Sequence, residues 1–136
     1  VKWDGMRVIA EVRGGRVRLT SRGGNDVSVP FPELQGLAAR SVLGGRDAVL
    51  DGEVVAFADG RPVFGALAER IHLRNARRAE QAAASNPVTL LLFDLLVLDG
   101  LDVTSLPLRD RRSALESLGL QDPRWQVPPT YDDGLV

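Results

Sequence analysis

An almost uninterrupted apolar segment, Val88 to Leu98, does most to limit how this chain can fold. Pro87 precedes it, Asp99-Gly100 follows it, and Asp94 is its only charged residue. A run of this length between turn-forming residues favours a strand buried in a sheet. The segment is too short to cross a membrane as a helix, which needs roughly eighteen apolar residues, and no longer apolar run occurs elsewhere.

The remaining sequence mixes strand and helix signals. Arg13-Gly14-Gly15 is typical of a hairpin turn between two β-rich runs. Further strands are predicted over Met6 to Val12, Arg16 to Ser21, Ala48 to Ala58, Arg61 to Phe64 and Trp125 to Pro128. Helices are predicted over Glu33 to Leu43, Phe64 to about Ala84 and Arg109 to Leu118. This mixture indicates an α+β protein.

Composition narrows the class of protein. The 136 residues are 44% hydrophobic and 26% charged, which indicates one soluble globular domain with a real core. Cysteine is absent, so disulfides and thiolate metal sites are excluded, and the chain fits a reducing cytoplasm. The net charge of −1 argues against a freestanding DNA-coating protein, which would be strongly basic.

Arginines are unevenly spread and form two clusters. The first cluster contains Arg7, Arg13, Arg16, Arg18 and Arg22, and the second contains Arg70, Arg74, Arg77 and Arg78. Charge runs are usually solvated faces, and a phosphate-binding surface is the alternative interpretation.

Lys2 is the only lysine, beside sixteen arginines. Arginine stays protonated in proteins, whereas a lysine amine can lose its proton and act as a nucleophile. Lys2 begins the segment Lys2-Trp3-Asp4-Gly5-Met6-Arg7, which fits the pattern K-x-D-G-x-R. Three further segments follow in order: Ser21-Arg22-Gly23, Leu50-Asp51-Gly52-Glu53-Val54-Val55 and Leu92-Phe93-Asp94-Leu95-Leu96.

These four segments, in this order and spacing, resemble the motifs of the covalent nucleotidyltransferases, the superfamily of ATP-dependent DNA ligases, RNA ligases and mRNA capping enzymes. The residues within these motifs are most similar to those of bacterial ATP-dependent DNA ligases, in particular the ligase module associated with non-homologous end joining. The resemblance spans Val1 to about Tyr131. It implies an α+β, ATP-grasp-like nucleotidyltransferase domain, with antiparallel sheets flanked by helices and the nucleotide between the sheets.

The resemblance also implies roles for the residues of the first and third motifs. Lys2 would attack the α-phosphorus of ATP and carry the AMP as a covalent adduct. Asp4 would orient the Lys2 amine or help to recruit a metal ion. Arg7 and Glu53 would contact the ribose hydroxyls, which suits a carboxylate that accepts two hydrogen bonds.

The second and fourth motifs imply contacts with phosphate and base. Arg22 would bind phosphate, including the 5′-phosphate of a nick, since guanidinium forks match phosphate oxygens. Phe93 would stack on adenine, and ordinary core packing is the alternative for this side chain. Asp51 would assist the binding of Mg²⁺ or Mn²⁺. No role is assigned to Asp94, Arg70 or His72.

Several features of the family are missing between Val1 and Val136. No glutamate stands two positions before Lys2, no E-G-x-x-x-K motif occurs, no second lysine is present, and no OB-fold domain follows. We therefore expect residues 1–136 to be a partial adenylation domain, incomplete at both ends, that adenylates poorly by itself.

The implied substrates are ATP and nicked or broken double-stranded DNA. A Ku-like end-binding protein is the expected partner. The protein is expected to be a monomer in the bacterial cytoplasm, at the nucleoid and not at a membrane.

Two alternatives to a DNA ligase stay open. One is an RNA ligase or a capping-type nucleotidyltransferase, which labelling with ATP or GTP would distinguish. The other is a catalytically silent nucleic-acid-binding module.

Overall fold

The computed structural model of the chain describes residues 5–58 and 60–129. Its strands are β1 Met6–Arg13, β2 Arg16–Ser21, β3 Ala48–Ala58, β4 Arg61–Pro62, β5 Val88–Leu98, β6 Leu101–Asp102 and β7 Trp125–Gln126. Its helices are a 3₁₀ helix at Pro32–Ala38, α1 Arg40–Leu43, α2 Phe64–Ile71, α3 Ala76–Ser85 and α4 Leu108–Ser117. The predicted α+β class is confirmed. Within these ranges, no helix has the length and apolarity needed to cross a membrane.

The described strands join one sheet, in the order β2-β1-β3-β5-β6, with β4 paired to β3 and β7 paired to β5. The pairing is antiparallel except between β5 and β7, which are parallel. The long strand β3 lies between β1 and β5, and the apolar segment that was predicted to be a buried strand is β5. The sheet is therefore organised around two long central strands.

One face of the sheet packs on the hydrophobic core. Alternate residues of β1 and β2 point into it, among them Val8, Ala10 and Leu19, which are at most 1% exposed. Leu34 and Leu37 of the 3₁₀ helix pack against the same cluster. Because side chains alternate across a strand, the intervening residues of β1 and β3 point to the opposite face, which is free for polar chemistry.

Two helix predictions were wrong in detail. The segment predicted as one helix from Glu33 to Leu43 is a 3₁₀ helix followed by the short α1, and the chain is extended at Ala39 between them. The segment predicted as one helix from Phe64 to Ala84 is split into α2 and α3. The split has a local cause, since the Asn75 side chain accepts hydrogen bonds from the backbone N–H groups of Arg77 and Arg78 and begins a new helix.

Arg70 of α2 is a buried cation that joins α2 to the start of the 3₁₀ helix and to the end of α3. Its side chain is 1% exposed and makes a two-bonded ion pair with Glu33, with N–O distances of 2.7 and 2.9 Å. Its guanidinium also donates to the carbonyl oxygens of Pro30 and Asn86. Glu33 in turn accepts a hydrogen bond from the backbone N–H of Val88 at the start of β5. The second arginine cluster therefore includes one residue whose role is structural.

Removing Arg70 should destabilise the domain strongly. Arg70→Ala leaves the Glu33 carboxylate buried without its cation, and breaking a buried pair in this way costs about 3 to 5 kcal/mol. Urea denaturation followed by circular dichroism measures the free energy of unfolding. The matched control is Arg74→Ala on the exposed surface, which should change it by less than about 0.5 kcal/mol. Equal stability of the two variants would contradict the assigned role of Arg70.

Candidate active site

The polar face of the sheet brings three of the four motif segments together. In the register of β1 and β3, Arg7 lies opposite Glu53 and Ile9 lies opposite Asp51. In the register of β3 and β5, Asp51 lies opposite Asp94. Residues that are more than forty positions apart in sequence therefore become neighbours on adjacent strands.

Arg7 and Asp51 form an ion pair across the β1–β3 pairing. Nε of Arg7 donates to Oδ1 of Asp51 at 2.7 Å, and Nη2 donates to Oδ2. These hydrogen bonds raise the pKa of Arg7 above its ordinary value, although partial burial of the guanidinium opposes the shift. The Arg7 side chain is still 55% exposed, so the pair contributes little to stability and leaves the cation open to a ligand.

β5 bulges at Phe93, so the consecutive residues Phe93 and Asp94 both lie on the polar face. Asp51 pairs with Asp94 and Gly52 pairs with Leu92, so Phe93 is the additional residue on β5. A bulge bends the strand and changes the direction of a side chain. Phe93 is accordingly half-buried and lines a cleft, whereas its neighbour Leu92 is fully buried in the core.

Two glycines of the motifs stand where strands approach closely. A Cβ atom on Gly52 would lie 2.4 Å from the carbonyl oxygen of Leu91 on β5. A Cβ atom on Gly5 would lie 2.2 Å from the carbonyl oxygen of Val54 on β3. Both contacts are with backbone atoms, which cannot move aside easily, so the glycines allow β3 to carry the motif residues so close to its neighbours.

Two adjoining clefts open on this face. The first, which we call the α4 cleft, has a volume of about 500 Å³ and is lined on the sheet side by Arg7, Asp51, Phe93 and Asp94. The second, which we call the β2 cleft, has a volume of about 320 Å³ and includes Thr20 and Arg22. Arg7 and Asp51 line both clefts, so the two clefts adjoin at this ion pair.

Asp94 is held by Arg111 of α4. Nε and Nη2 of Arg111 donate to the two carboxylate oxygens at 2.9 and 3.1 Å. These hydrogen bonds raise the pKa of Arg111 above its ordinary value, although burial opposes the shift. Asp94, which the sequence left without a role, therefore fixes a helix beside the cleft.

The other wall of the α4 cleft comes from residues that the sequence did not single out. Leu108, Arg109, Arg112 and Ser113 of α4 line it. They follow the spacing that places residues on one face of a helix. This spacing can be seen in the sequence, but it identifies a cleft wall only once α4 is known to pack against β5.

The first arginine cluster is divided in the structure. Arg13 pairs with Glu11 at 3.0 Å, and Arg18 pairs with Asp26 at 3.6 Å. These four residues line a cleft of about 580 Å³ beside the β1–β2 hairpin, which we call the hairpin cleft and which contains none of the motif residues. Arg22 lies in the turn after β2, is exposed, and has no ion-pair partner among residues 5–58 and 60–129. Of this cluster, Arg7 and Arg22 therefore line a cleft on the polar face of the sheet.

The remaining predicted residues divide as follows. Lys2 and Asp4 lie outside the described residues. Asp51 was predicted to assist metal binding, but both of its oxygens accept from Arg7, and the described part of the chain holds no cluster of three metal-ligating side chains. His72 is exposed at the end of α2, which gives it no place in the site.

Comparison with known proteins agrees with this arrangement of motifs and fold. The family model for the ATP dependent DNA ligase domain matches residues 1–132, and the chain belongs to this family. It is 39% identical to DNA ligase C2 of Mycolicibacterium smegmatis over 97% of the chain, and 37% identical over 86% of the chain to the multifunctional non-homologous end joining DNA repair protein LigD of Mycobacterium tuberculosis. The chain spans 37% and 14% of the lengths of these relatives.

A solved structure shows the same fold. Mycobacterial DNA ligase D, complexed with ATP and MES, superposes with a TM-score of 0.69 at 35% identity. The match covers 87% of this chain and 35% of that chain. The α+β architecture is therefore that of the ligase domain.

The close approach at Gly52 can be tested directly. Gly52→Ala should destabilise the domain by about 1 to 3 kcal/mol, because the added methyl group collides with the backbone of β5. The control is Gly23→Ala in the turn after β2, where the nearest atom would be 3.8 Å away. Chemical denaturation of both variants provides the measurement, and a Gly52→Ala variant as stable as Gly23→Ala would show that β3 and β5 are not so close.

Proposed function

We propose that this chain is the part of a bacterial ATP-dependent DNA ligase that binds ATP and accepts AMP on Lys2. The observation that carries the proposal is the convergence of Arg7, Asp51, Glu53 and Phe93, from three separate motifs, on one polar sheet face. Family membership supports it.

The two clefts suit the parts of a nucleotide. Phe93 offers an aromatic surface for the base in the α4 cleft. Arg7 lines both clefts and lies opposite Glu53 in the β1–β3 register, and these two residues would contact the ribose. Arg22 in the β2 cleft supplies a cation for the phosphates. ATP would therefore lie along the polar face, with its base beside α4 and its phosphates toward β2.

Lys2 is the proposed nucleophile. Its amine would first lose a proton, which requires neighbouring cations or burial to lower a pKa that is about 10.4 in a free lysine. The Nζ–P bond forms as the bond between the α-phosphorus and the bridging oxygen breaks, and pyrophosphate leaves with the electron pair. A DNA 5′-phosphate oxygen would then attack the same phosphorus and release Lys2, and a 3′-hydroxyl would displace AMP to seal the strand.

The described residues do not fit a metal ion by themselves. Asp51 and Asp94 are neighbours, yet each carboxylate is engaged by an arginine, Arg7 or Arg111. The described residues also contain no group of three or more His, Asp or Glu side chains that could hold the Mg²⁺ or Mn²⁺ ion implied by the family resemblance.

The names of the relatives support a biological setting for the proposal. LigD is named as a non-homologous end joining DNA repair protein, so the DNA substrate proposed here is a nicked or broken duplex. A Ku-like end-binding partner, a monomeric state and a place in the bacterial cytoplasm at the nucleoid complete the proposal.

Labelling at Lys2 tests the function. Prolonged incubation of the chain with ATP and a divalent cation should add one AMP group to Lys2 in a small fraction of the molecules, since the chain is expected to adenylate poorly by itself; intact-mass and peptide mass spectrometry measure this fraction. Lys2→Arg should abolish the adduct, because a guanidinium is not a nucleophile under these conditions. Both proteins should bind unreacted ATP.

The proposal makes a further distinction between nucleotides. GTP should give no adduct, which separates a DNA ligase from a capping-type enzyme. An adduct that persists in Lys2→Arg, labelling by GTP in place of ATP, or failure of the unaltered chain to bind ATP would each contradict the proposed function.

A further inference from the structure

The strand β2 carries hydrogen-bond donors at alternate positions on the polar face of the sheet. Val17 and Leu19 are at most 3% exposed, so the residues that alternate with them point away from the core. The alternation continues into the turn after the strand, where the last donor lines the β2 cleft. These donors form a row from the β1–β2 hairpin to the β2 cleft, which we call the β2 row: Arg16, Arg18, Thr20 and Arg22.

The β2 row holds more positive charge than its neighbours neutralise. Arg16 is exposed and has no ion-pair partner among residues 5–58 and 60–129. Glu11, which lies opposite Arg18 on β1, is paired with Arg13. Arg18 faces Asp26 at 3.6 Å, which is longer than a hydrogen bond, and the two side chains are 62% and 54% exposed. An exposed pair of this kind contributes little free energy, so Arg18 can donate its N–H groups to another anion.

The spacing of the β2 row suits a nucleic-acid backbone. A strand advances about 3.4 Å per residue, so alternate side chains are roughly 6.8 Å apart. This spacing is close to the separation of successive phosphates along one DNA strand, and each side chain of the row can therefore face one phosphate. Guanidinium groups and hydroxyls are also the side-chain groups with which proteins commonly contact DNA phosphates.

We propose that the β2 row binds the DNA strand that carries the 5′-phosphate, with Arg22 at the terminal phosphate and Thr20, Arg18 and Arg16 at the next three phosphates. The inference rests on the proposed function, which places the 5′-phosphate at Arg22. These contacts would hold the 5′-phosphate where its oxygen attacks the AMP on Lys2. Formation of the Lys2 adduct precedes this step, so Arg16 and Arg18 are not needed for it.

Arg16→Ala and Arg18→Ala test the β2 row through binding to a nicked duplex, measured by fluorescence anisotropy at several salt concentrations. Each lost phosphate contact should reduce the slope of log affinity against log salt by about 0.9. Relative to 1 M salt, this reduction weakens binding about eightfold at 0.1 M salt. Both variants should bind ATP and form the Lys2 adduct to the same extent as the unaltered chain.

The matched control is Arg77→Ala. Arg77 is also exposed and has no ion-pair partner within the described ranges, but it lies on α3, which packs against the 3₁₀ helix on the core side of the sheet. Its removal should change neither the affinity for the nicked duplex nor the salt slope.

A duplex with neutral phosphates tests which phosphates the row contacts. Uncharged methylphosphonates replace the third and fourth phosphates of the strand that begins with the 5′-phosphate. Arg16→Ala and Arg18→Ala should then cause no further loss of affinity, because the charges that they contact are already absent. The same replacement in the strand that ends with the 3′-hydroxyl should leave both losses at full size.

The outcomes separate failure of this inference from failure of the proposed function. If Arg16→Ala and Arg18→Ala bind the nicked duplex like Arg77→Ala while the unaltered chain forms the Lys2 adduct, only the inference is overturned. Losses that persist on the methylphosphonate duplex would assign the arginines to another part of the DNA and would also overturn it. If the unaltered chain neither binds ATP nor forms the adduct, the proposed function is overturned, and the inference that rests on it is overturned as well.

Discussion

The close pairing of β3 with both of its neighbours is the constraint on which the rest of the site depends. Gly52 allows the backbone of β3 to approach β5, and the bulge opposite it lets the consecutive residues Phe93 and Asp94 both face away from the core. The same strand presents Asp51 to Arg7 and Glu53 to the same edge of β1. Without this packing, the motif residues would remain distant in space as they are in sequence.

The role of each arginine in this domain depends on its position in the fold, and the two clusters in the sequence do not reveal that position. Arg70 is buried and serves the fold through Glu33. Arg13 and Arg18 are neutralised on the hairpin. Arg7 is paired yet largely exposed, and Arg22 and Arg109 lie in the two clefts. The β2 cleft therefore has an exposed cation, Arg22, where the phosphates of a nucleotide would lie, although the whole chain has a net charge of −1.

Much of this organisation was predictable from the sequence. The two β-rich runs joined by Arg13-Gly14-Gly15 predicted β1 and β2, and the long apolar run predicted β5, because strand composition and burial leave a direct pattern in the sequence. The motifs predicted which residues would meet. The division of the segment from Phe64 to Ala84 depended on an Asn75 cap within a helix-forming composition, and the bulge at Phe93 depended on pairing with a distant strand. The wall on α4 was likewise not predictable, since it requires the tertiary contact between Arg111 and Asp94.

The central claim is that the polar face of the sheet, from Arg22 to Phe93, binds ATP. Titration of the isotope-labelled chain with ATP, followed by backbone amide chemical shifts in NMR, tests this claim most directly. The account predicts that the largest shifts fall on Arg7, Arg22, Asp51 and Phe93 and on the first turns of α4. Shifts concentrated instead on the hairpin cleft around Arg13 and Arg18, with the motif face unchanged, would contradict it.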